Sequence, residues 1–275
     1  MVTQEQLGKA REFIYRHGRL LDRKCFAYHF EGGDREAVLQ ALACYQNSDG
    51  GFGHGLELDV TCPASTAICA EMAMAYLGSV GVRSGPMVER LEAWIAANQQ
   101  PDGTLPHPAD EIARYPHGEW WLNDDPQRVL ALAGLLAKWG RGSQALFDGA
   151  ARVFSRLPFP EEPAVYAYPH YLFLRYVPQA ETWQDRLAQM RGGLPKMLSA
   201  AQDHHPLFFF AHRWPAEDVD EGVLSEQAAK AAAAFEQDGG VASPYPDLPW
   251  CRPVWTLDVL VGLKQHGFLD APADS

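Results

Sequence analysis

Two patterns of hydrophobic and polar positions alternate along this chain. In the segment 34–45, apolar residues recur at helical spacing on one face while charged residues occupy the opposite face. In the segment 129–137, every residue is apolar or small, which is typical of a helix surrounded by protein on all sides. The alternation predicts an all-α fold, in which an outer layer of helices packs around an inner layer.

A short turn motif recurs between the two kinds of helix. It is Gln46-Asn-Ser-Asp-Gly-Gly-Phe52 in the first copy and Gln99-Gln-Pro-Asp-Gly-Thr-Leu105 in the second. Near the C-terminus it is Gln237-Asp-Gly-Gly-Val241, in which the two residues between Gln and Asp are missing. Because glycine after Asp permits the positive φ of a tight turn, we expect three repeated helix–turn–helix units.

A proline follows each turn and is expected to open the second helix of its unit, since the first helical turn does not need its missing N–H. These prolines are Pro63, Pro126 and Pro253. Asp125 stands directly before Pro126 and is a candidate N-cap.

The whole pattern predicts eleven or twelve helices, enough for five or six hairpins. The first of them covers residues 3–17, and residues 139–236 continue the helical periodicity without the turn motif. The segment 204–214 is ambiguous and could be extended. Because no Ser-, Gly- or Pro-rich linker divides the chain, we expect a single domain over residues 1–275.

Composition narrows the class of protein. Apolar residues make up 47% of the 275 residues, and the formal net charge of −12 argues against nucleic acid as a partner. The apolar runs are too short to cross a membrane, and the N-terminal segment lacks the apolar core of a secretion signal. Five cysteines without paired spacing are expected to be free thiols in a cytoplasmic protein. These patterns specify neither a cofactor nor an oligomeric state.

The first turn and its flanks, YQNSDGGFG at residues 45–53, resemble the repeat of terpenoid cyclases and protein prenyltransferase β subunits, and NQQPDGTL at residues 98–105 is a degenerate copy. The resemblance covers three units, about half of the chain. It implies an (α/α) toroid of five to six hairpins, with inner and outer helix layers around an apolar cavity. It also implies a small-molecule ligand of apolar or isoprenoid character.

The catalytic motifs of that superfamily match only in part. Its proton-initiated cyclases use an Asp-x-Asp-Asp acid, whereas this chain has Leu122-Asn-Asp124-Asp125, with leucine in place of the first carboxylate. Its prenyltransferases hold zinc through Asp-x-Cys and a distant His, whereas Asp59-Val-Thr-Cys62 is one residue too long. The resemblance therefore implies no particular metal site.

The loops that follow the turns contain most of the unusual polar and aromatic residues. If the inner helices run parallel, these loops gather at one rim, where carboxylates and imidazoles can exchange protons and indoles can bind a cation or an apolar ligand. The candidate acid–base residues are Glu57, Asp59, Asp124 and His54. The candidate ligand-binding residues are Trp120, Trp121, His117, Asp125, Trp250 and Arg252.

Each candidate also has a purely structural interpretation. Glu57 and Asp59, which would face the same way in an extended segment, can instead accept loop N–H groups. Arg252 suits an anionic ligand at a helix N-terminus but can equally pair with nearby carboxylates. His170, within an apolar helix, is expected to be a hydrogen-bonded core residue.

Three functions remain open at this point. The first is an enzyme, or enzyme-like protein, that acts on an apolar or isoprenoid-like small molecule. The second is a carbohydrate-active α/α-barrel enzyme, which would have a wide groove with facing carboxylates. The third is a non-catalytic binding toroid, because a fold does not determine a function.

Overall fold

The computed structural model describes residues 1–201, 204–209 and 211–269. Over these residues it contains twelve α-helices and no β-strand, so the predictions of an all-α fold and of eleven or twelve helices are confirmed. The α-helices are α1 (Gln4–His17), α2 (Leu20–Phe30), α3 (Arg35–Ala43), α4 (Ala67–Ser79), α5 (Pro86–Asn98), α6 (Ala109–Ile112), α7 (Arg128–Lys138), α8 (Gln144–Arg156), α9 (Tyr168–Tyr176), α10 (Gln184–Ala200), α11 (Glu221–Ala233) and α12 (Arg252–Gln265). Short 3₁₀ helices cover Glu119–Leu122, Val165–Ala167, Pro178–Trp183, Ala216–Asp218 and Pro249–Cys251.

The chain divides into two compact units, which are described separately. The first unit consists of Met1–Ala41 and Leu194–Ser275, as far as these residues are described, and the second consists of Leu42–Gly193. None of the described helices has both the length and the apolar character that crossing a membrane requires.

In the second unit, α4, α7 and α9 form an interior layer. Most residues of these three helices are buried, which explains why their sequences lack a polar face. The helices α7 and α9 approach closely at Gly134, where a Cβ atom would lie 2.6 Å from the backbone of Leu172. By contrast, α8 buries only one face, through residues at helical spacing that include Leu146, Ala150 and Val153.

In the first unit, α1 and α2 pack against α12. The helix α1 begins with a capping box in which Thr3 Oγ1 accepts from the Gln6 N–H and the Gln6 side chain accepts from the Thr3 N–H. It buries Phe13 and Ile14 on one face, whereas α12 is buried along most of its length. The Lys264 ammonium near the end of α12 donates to the His29 carbonyl near the end of α2, so these two helix ends lie together.

The three turn motifs fold in the same way. In the first, the Asn47 N–H donates to Gly51 O at 2.8 Å and the Gly50 N–H donates back to Asn47 O at 3.0 Å. The Asp side chain of each turn then accepts from the backbone N–H two residues later, at 2.9 to 3.0 Å. The glycine after each Asp has a φ between +90° and +96°, as the motif predicts.

The third turn is not shortened, contrary to the expectation from its sequence. Phe235 pairs with Val241 across this turn as Gln46 pairs with Phe52 across the first, so both turns span the same number of residues. Phe235 therefore occupies the place of the turn glutamine. The backbone hydrogen bonds of the turn and the bond accepted by its Asp side chain form here without the glutamine.

Each turn glycine packs on the backbone of a helix in its own unit. A Cβ atom on Gly50 would overlap the Arg90 carbonyl of α5, and one on Gly103 would overlap the Gly149 carbonyl of α8. A Cβ atom on Gly239 would overlap the Lys9 carbonyl of α1. The motif thus joins each of these turns to another helix of the same unit.

Two of the three predicted helix starts are wrong. The helix after Pro63 begins only at Ala67, where the Thr66 hydroxyl caps it by accepting from the Cys69 N–H at 3.2 Å. The helix after Pro126 begins at Arg128 without a side-chain cap. Pro253 does lie in the first turn of α12, as predicted.

The ambiguous segment 204–214 consists of turns in its described residues, so the extended alternative is wrong there. Phe210 lies outside the described residues, as do residues 202, 203 and 270–275.

His170 is buried in α9 between the rings of Phe154 and Phe159, whose centroids lie 5.7 and 6.3 Å from the imidazole. Neither ring nitrogen has a hydrogen-bond partner among the described residues, so the expectation of a hydrogen-bonded core histidine is wrong. Burial, aided by the charge of Arg186, lowers the pKa of His170 to about 4.

The turn glycines lead to a stability prediction. Gly50→Ala should lower the free energy of unfolding by about 3 kcal/mol or more, because it combines backbone strain with overlap against Arg90. Gly81→Ala is the matched control, since Gly81 also has a positive φ but no other atom lies within 4 Å of the place that its Cβ would take. It should cost only about 1 kcal/mol of strain. Urea unfolding of both variants measures the difference, and equal losses would contradict the packing role of Gly50.

His170 leads to a prediction about pH. Between pH 6.5 and about 4, the unfolded chain takes up a proton at His170 that the folded protein does not, so stability should fall as the pH decreases through this range. The full effect corresponds to about 3 kcal/mol. His170→Leu should flatten this part of the pH profile of the unfolding free energy. The exposed His266→Gln variant should leave it unchanged, and an unchanged profile in His170→Leu would contradict the prediction.

The profile of His170→Leu should not become completely flat. Burial, followed by the charge of Lys264, also lowers the pKa of His29 to about 4, so a second acid-sensitive imidazole remains.

Candidate functional site

The loops after the first two turns meet in the second unit. We call residues 53–66 loop 1 and residues 106–127 loop 2. The Thr61 N–H donates to Pro116 O at 3.2 Å, and the Gly118 N–H donates to Asp59 O at 2.9 Å. Between these bonds Val60 forms a bridge with His117. The backbone pairing brings the acidic segment of loop 1 next to the aromatic segment of loop 2.

Glu57 and Asp59 are neighbours, but not for the reason that the sequence indicates. The segment is a turn rather than extended, and the Val60 N–H donates to Glu57 O at 3.2 Å. The Glu57 side chain is buried, and its Oε1 accepts from the Leu58 N–H at 3.2 Å. The turn places the side chains of Glu57 and Asp59 next to each other.

Asp59 is the acidic group whose ionisation the site perturbs. Burial raises the pKa of its carboxyl, while the Trp121 indole, Glu57 and the Trp120 indole act in the opposite direction as hydrogen-bonding neighbours. Even so, Asp59 Oδ1 and Trp121 Nε1 are buried without a well-formed hydrogen bond to any described residue. A buried carboxyl of this kind retains its proton more readily than one in water.

One side of this acidic turn is apolar. The buried side chains of Val60, Cys62, Ile68 and Ile112 form a cluster, against which Trp121 packs. The His107 ring anchors the same region, because its Nε2–H donates to Trp121 O at 2.6 Å.

A second polar group lies deeper, where the first parts of α4, α7 and α9 meet. Arg128 Nη1 donates to Glu71 Oε2 and to the Tyr168 hydroxyl, and the Tyr168 hydroxyl lies 2.9 and 3.0 Å from the two Glu71 oxygens. All three side chains are buried. Because these residues lie near the N-terminal ends of three interior helices, those ends lie together in this unit.

This network was not predicted from the sequence, although the sequence contains a signal for it. Glu71 and Arg128 are isolated charges in otherwise apolar helices, and a charge in such a place needs a partner. Burial alone would lower the pKa of Arg128, but Tyr168, Glu71 and Asp125 raise it well above its ordinary value. The guanidinium stays charged and pairs with the carboxylates of Glu71 and Asp125, so we assign it a structural role.

Asp125 and Trp121 link the network to loop 2. Asp125 does not cap the helix through its side chain but accepts from Arg128 Nε at 2.7 Å, so the N-cap prediction is wrong. The Arg128 guanidinium lies 5.8 Å from the centroid of the Trp121 ring and 5.7 Å from that of Tyr168. Trp121 therefore stands between the charged network and Asp59.

The other candidates in loops 1 and 2 lie nearer the solvent. His54 is exposed, has a φ of +57°, and its Nε2 lies 2.8 Å from Asn47 Oδ1. His117 Nδ1–H donates to Tyr115 O at 2.6 Å. Trp120 is 50% exposed, and Asp124 is also exposed.

Trp250 and Arg252 belong to the first unit. Arg252 donates to Glu236, to Asp238 and, at 3.1 Å, to Val241 O, so its hydrogen bonds hold the third turn. Its guanidinium also lies 4.8 Å from the centroid of the Phe13 ring. Trp250 is 53% exposed in the 3₁₀ helix Pro249–Cys251. These contacts match the structural interpretation of Arg252.

Within the described residues, no group of three or more His, Cys, Asp or Glu side chains is arranged to hold a metal ion. The five cysteines are free thiols in the structure. The chemistry that the described site offers is proton transfer by Asp59 and its neighbours beside indole rings.

The buried network leads to a further stability prediction. Arg128→Met leaves Glu71 buried without its cationic partner and should lower the free energy of unfolding by about 3 to 5 kcal/mol. The matched control is Arg141→Met, which breaks a pair with Glu92 whose side chains are 26% and 23% exposed and should cost about 1 kcal/mol. Chemical unfolding at neutral pH compares the two variants. Similar losses would mean that the network is no stronger than a surface pair.

Comparison with known proteins gives no family assignment. No protein-family model matches the chain, and no curated protein sequence matches it. The resemblance to the terpenoid cyclase repeat remains an expectation based on the turn motif.

Proposed function

We propose that this protein is a small-molecule enzyme that uses Asp59 as a general acid. The observation that carries the proposal is the raised pKa of a mostly buried carboxyl at the junction of loops 1 and 2. A carboxylic acid acts efficiently when its pKa lies nearer the working pH, and burial is the usual means of raising it. Glu57, directly beside Asp59, is suited to share or return the proton.

The ligand of this proposal is apolar or isoprenoid-like. Indole faces stabilise developing positive charge, and Trp120 and Trp121 flank the carboxyl from loop 2. The buried cluster around Val60 and Ile112, on which Trp121 packs, keeps this side of the site apolar. Protonation of a double bond beside aromatic rings is the reaction class that this combination fits best.

The toroid is part of the same proposal. It is supported by the repeated docking of turn glycines on outer helices, which occurs three times with the same backbone geometry. It is also supported by the separation of buried helices from one-faced helices in the second unit. A central cavity bounded by the inner helices would be the expected place for the apolar part of a ligand.

The proposal makes a prediction about Asp59→Asn. Purified protein is incubated with squalene, with geranylgeranyl diphosphate and with a set of glycans, and products are measured by mass spectrometry. Asp59→Asn should lower the turnover of the lipid substrate by about a hundredfold or more, because the amide cannot donate the acidic proton. The melting temperature should not fall, since the amide removes a carboxylate whose ionisation burial disfavours.

The control is Asp110→Asn, which removes an exposed carboxylate of loop 2 and should leave turnover unchanged. A titration of the Asp59 carboxyl by ¹³C NMR should give a pKa above the ordinary value of 3.8. An ordinary pKa, turnover of glycans alone, or equal activity of both variants would count against the proposal. Binding of a lipid without turnover would favour a non-catalytic binding protein.

A further inference from the structure

Two histidines occupy the same place in successive repeats. His54 lies eight residues after Gln46, and His107 lies eight residues after Gln99. The corresponding place in the third repeat, counted from Phe235, holds Ser243. The first two repeats, whose loops pair with each other, are thus the ones that carry an imidazole here.

The hydrogen bonds determine the tautomer of each ring. Trp121 O can only accept, so the Nε2 of His107 must carry the proton. For His54 the partner is an Asn47 amide, whose two ends could in principle be exchanged. The amide nitrogen donates to Pro63 O at 2.9 Å, and a carbonyl can only accept, so Oδ1 faces the imidazole. The Nε2 of His54 must therefore also carry the proton.

A series of hydrogen bonds between side chains holds Asn47 in this orientation. Asn47 Nδ2 also donates to Ser65 Oγ at 2.9 Å, and Ser65 Oγ donates to Asp49 Oδ1 at 2.8 Å. The turn itself does not need an asparagine at this position. Gln100 and Glu236 stand at the equivalent places of the other two turns, which have the same backbone hydrogen bonds.

Both imidazoles are tied to the environment of Asp59. His107 bonds to the carbonyl of Trp121, and the indole of that residue neighbours the Asp59 carboxyl. The His54 N–H donates to Cys62 O at 2.9 Å and so closes the segment of loop 1 that contains Asp59. In both rings Nδ1 has no hydrogen-bond partner among the described residues.

We infer that His54 and His107 are the proton acceptors of the site proposed above, with Nδ1 as the accepting atom, and that Asn47 is a positioning residue for His54. The inference rests on the proposed function. Asp59 gives a proton to one carbon of the substrate double bond. A C–H bond next to the resulting cation then gives its proton to Nδ1 of one of the two imidazoles, and the electron pair of that C–H bond forms the new double bond. Water returns the proton from the imidazolium to Asp59, so the reaction is an isomerisation or cyclisation without net change in protons.

The test is NMR of the full-length protein with ¹⁵N-labelled histidine. A hydrogen-bonded Nε2 proton exchanges slowly with water, so His54 and His107 should each show an observable Nε2–H signal. Asn47→Ala should abolish the signal of His54 and leave that of His107. Gln100→Ala, at the equivalent place of the second turn, should leave both signals, because the Gln100 side chain bonds to Asn98 O instead.

A second variant keeps the inference testable if Asn47→Ala does not fold. Asn47→Asp keeps a side-chain oxygen that can accept from His54, so the Nε2–H signal should persist. Absence of the Nε2–H signal in the unmodified protein, a proton on Nδ1 instead, or a His54 signal that survives Asn47→Ala would overturn the inference.

Kinetics separate the failure of this inference from failure of the proposed function. With the lipid substrate that is turned over, Asn47→Ala should lower kcat about tenfold with little change in KM, because a misoriented base affects the chemical step. Unchanged kcat in Asn47→Ala together with a large loss in Asp59→Asn would overturn the inference and leave the proposed function standing. Absence of all turnover despite the expected NMR signals would overturn the proposed function and the catalytic role of both imidazoles.

Discussion

The contact of a turn glycine with the backbone of a helix is the constraint from which the rest of the described architecture follows. Gly50, Gly103 and Gly239 each combine a positive φ with an approach that leaves no room for a Cβ atom. Because the positive φ and the close approach are both required at the same glycine, the turn has little freedom to shift relative to the helix. The loops that leave the first two turns therefore start from well-determined positions.

Loops 1 and 2, which start from these turns, form the candidate site. Their backbones pair at Val60 and His117, and the pairing leaves Asp59 beside the Trp121 indole. Backbone hydrogen bonds between the two loops and an apolar cluster hold these side chains in place. Such support is what a group with a perturbed pKa requires, since its desolvation must be maintained.

The two buried acidic regions of the second unit differ in whether the protein stabilises the ionised carboxylate. Glu71 is matched by Arg128 and Tyr168, so its ionised form is stabilised where it is buried. Asp59 is buried without a cationic partner of this kind, and its ionised form is disfavoured. The first arrangement stabilises the meeting point of three helices, whereas the second makes the Asp59 carboxyl a weaker acid. This difference is the reason for placing the chemistry at Asp59 and not at the deeper network.

Local pattern alone determined the helical fold, the distinction between buried and one-faced helices, and the turn glycines, because each depends on residues close in sequence. Asp59 and Glu57 were also visible as a pair, although a turn and not an extended segment brings them together. The third turn was misjudged because its glutamine, Gln237, does not occupy the position of Gln46.

Only the tertiary structure decided that Arg128 pairs with Glu71 and Tyr168, which lie 57 and 40 residues away along the chain. It likewise decided the pairing of loops 1 and 2 and the burial that perturbs Asp59. A side chain's periodicity shows which face of a helix it occupies, but not which other helix meets that face. Hydrogen bonds and desolvation depend on that meeting, because both act only over a few ångströms in space.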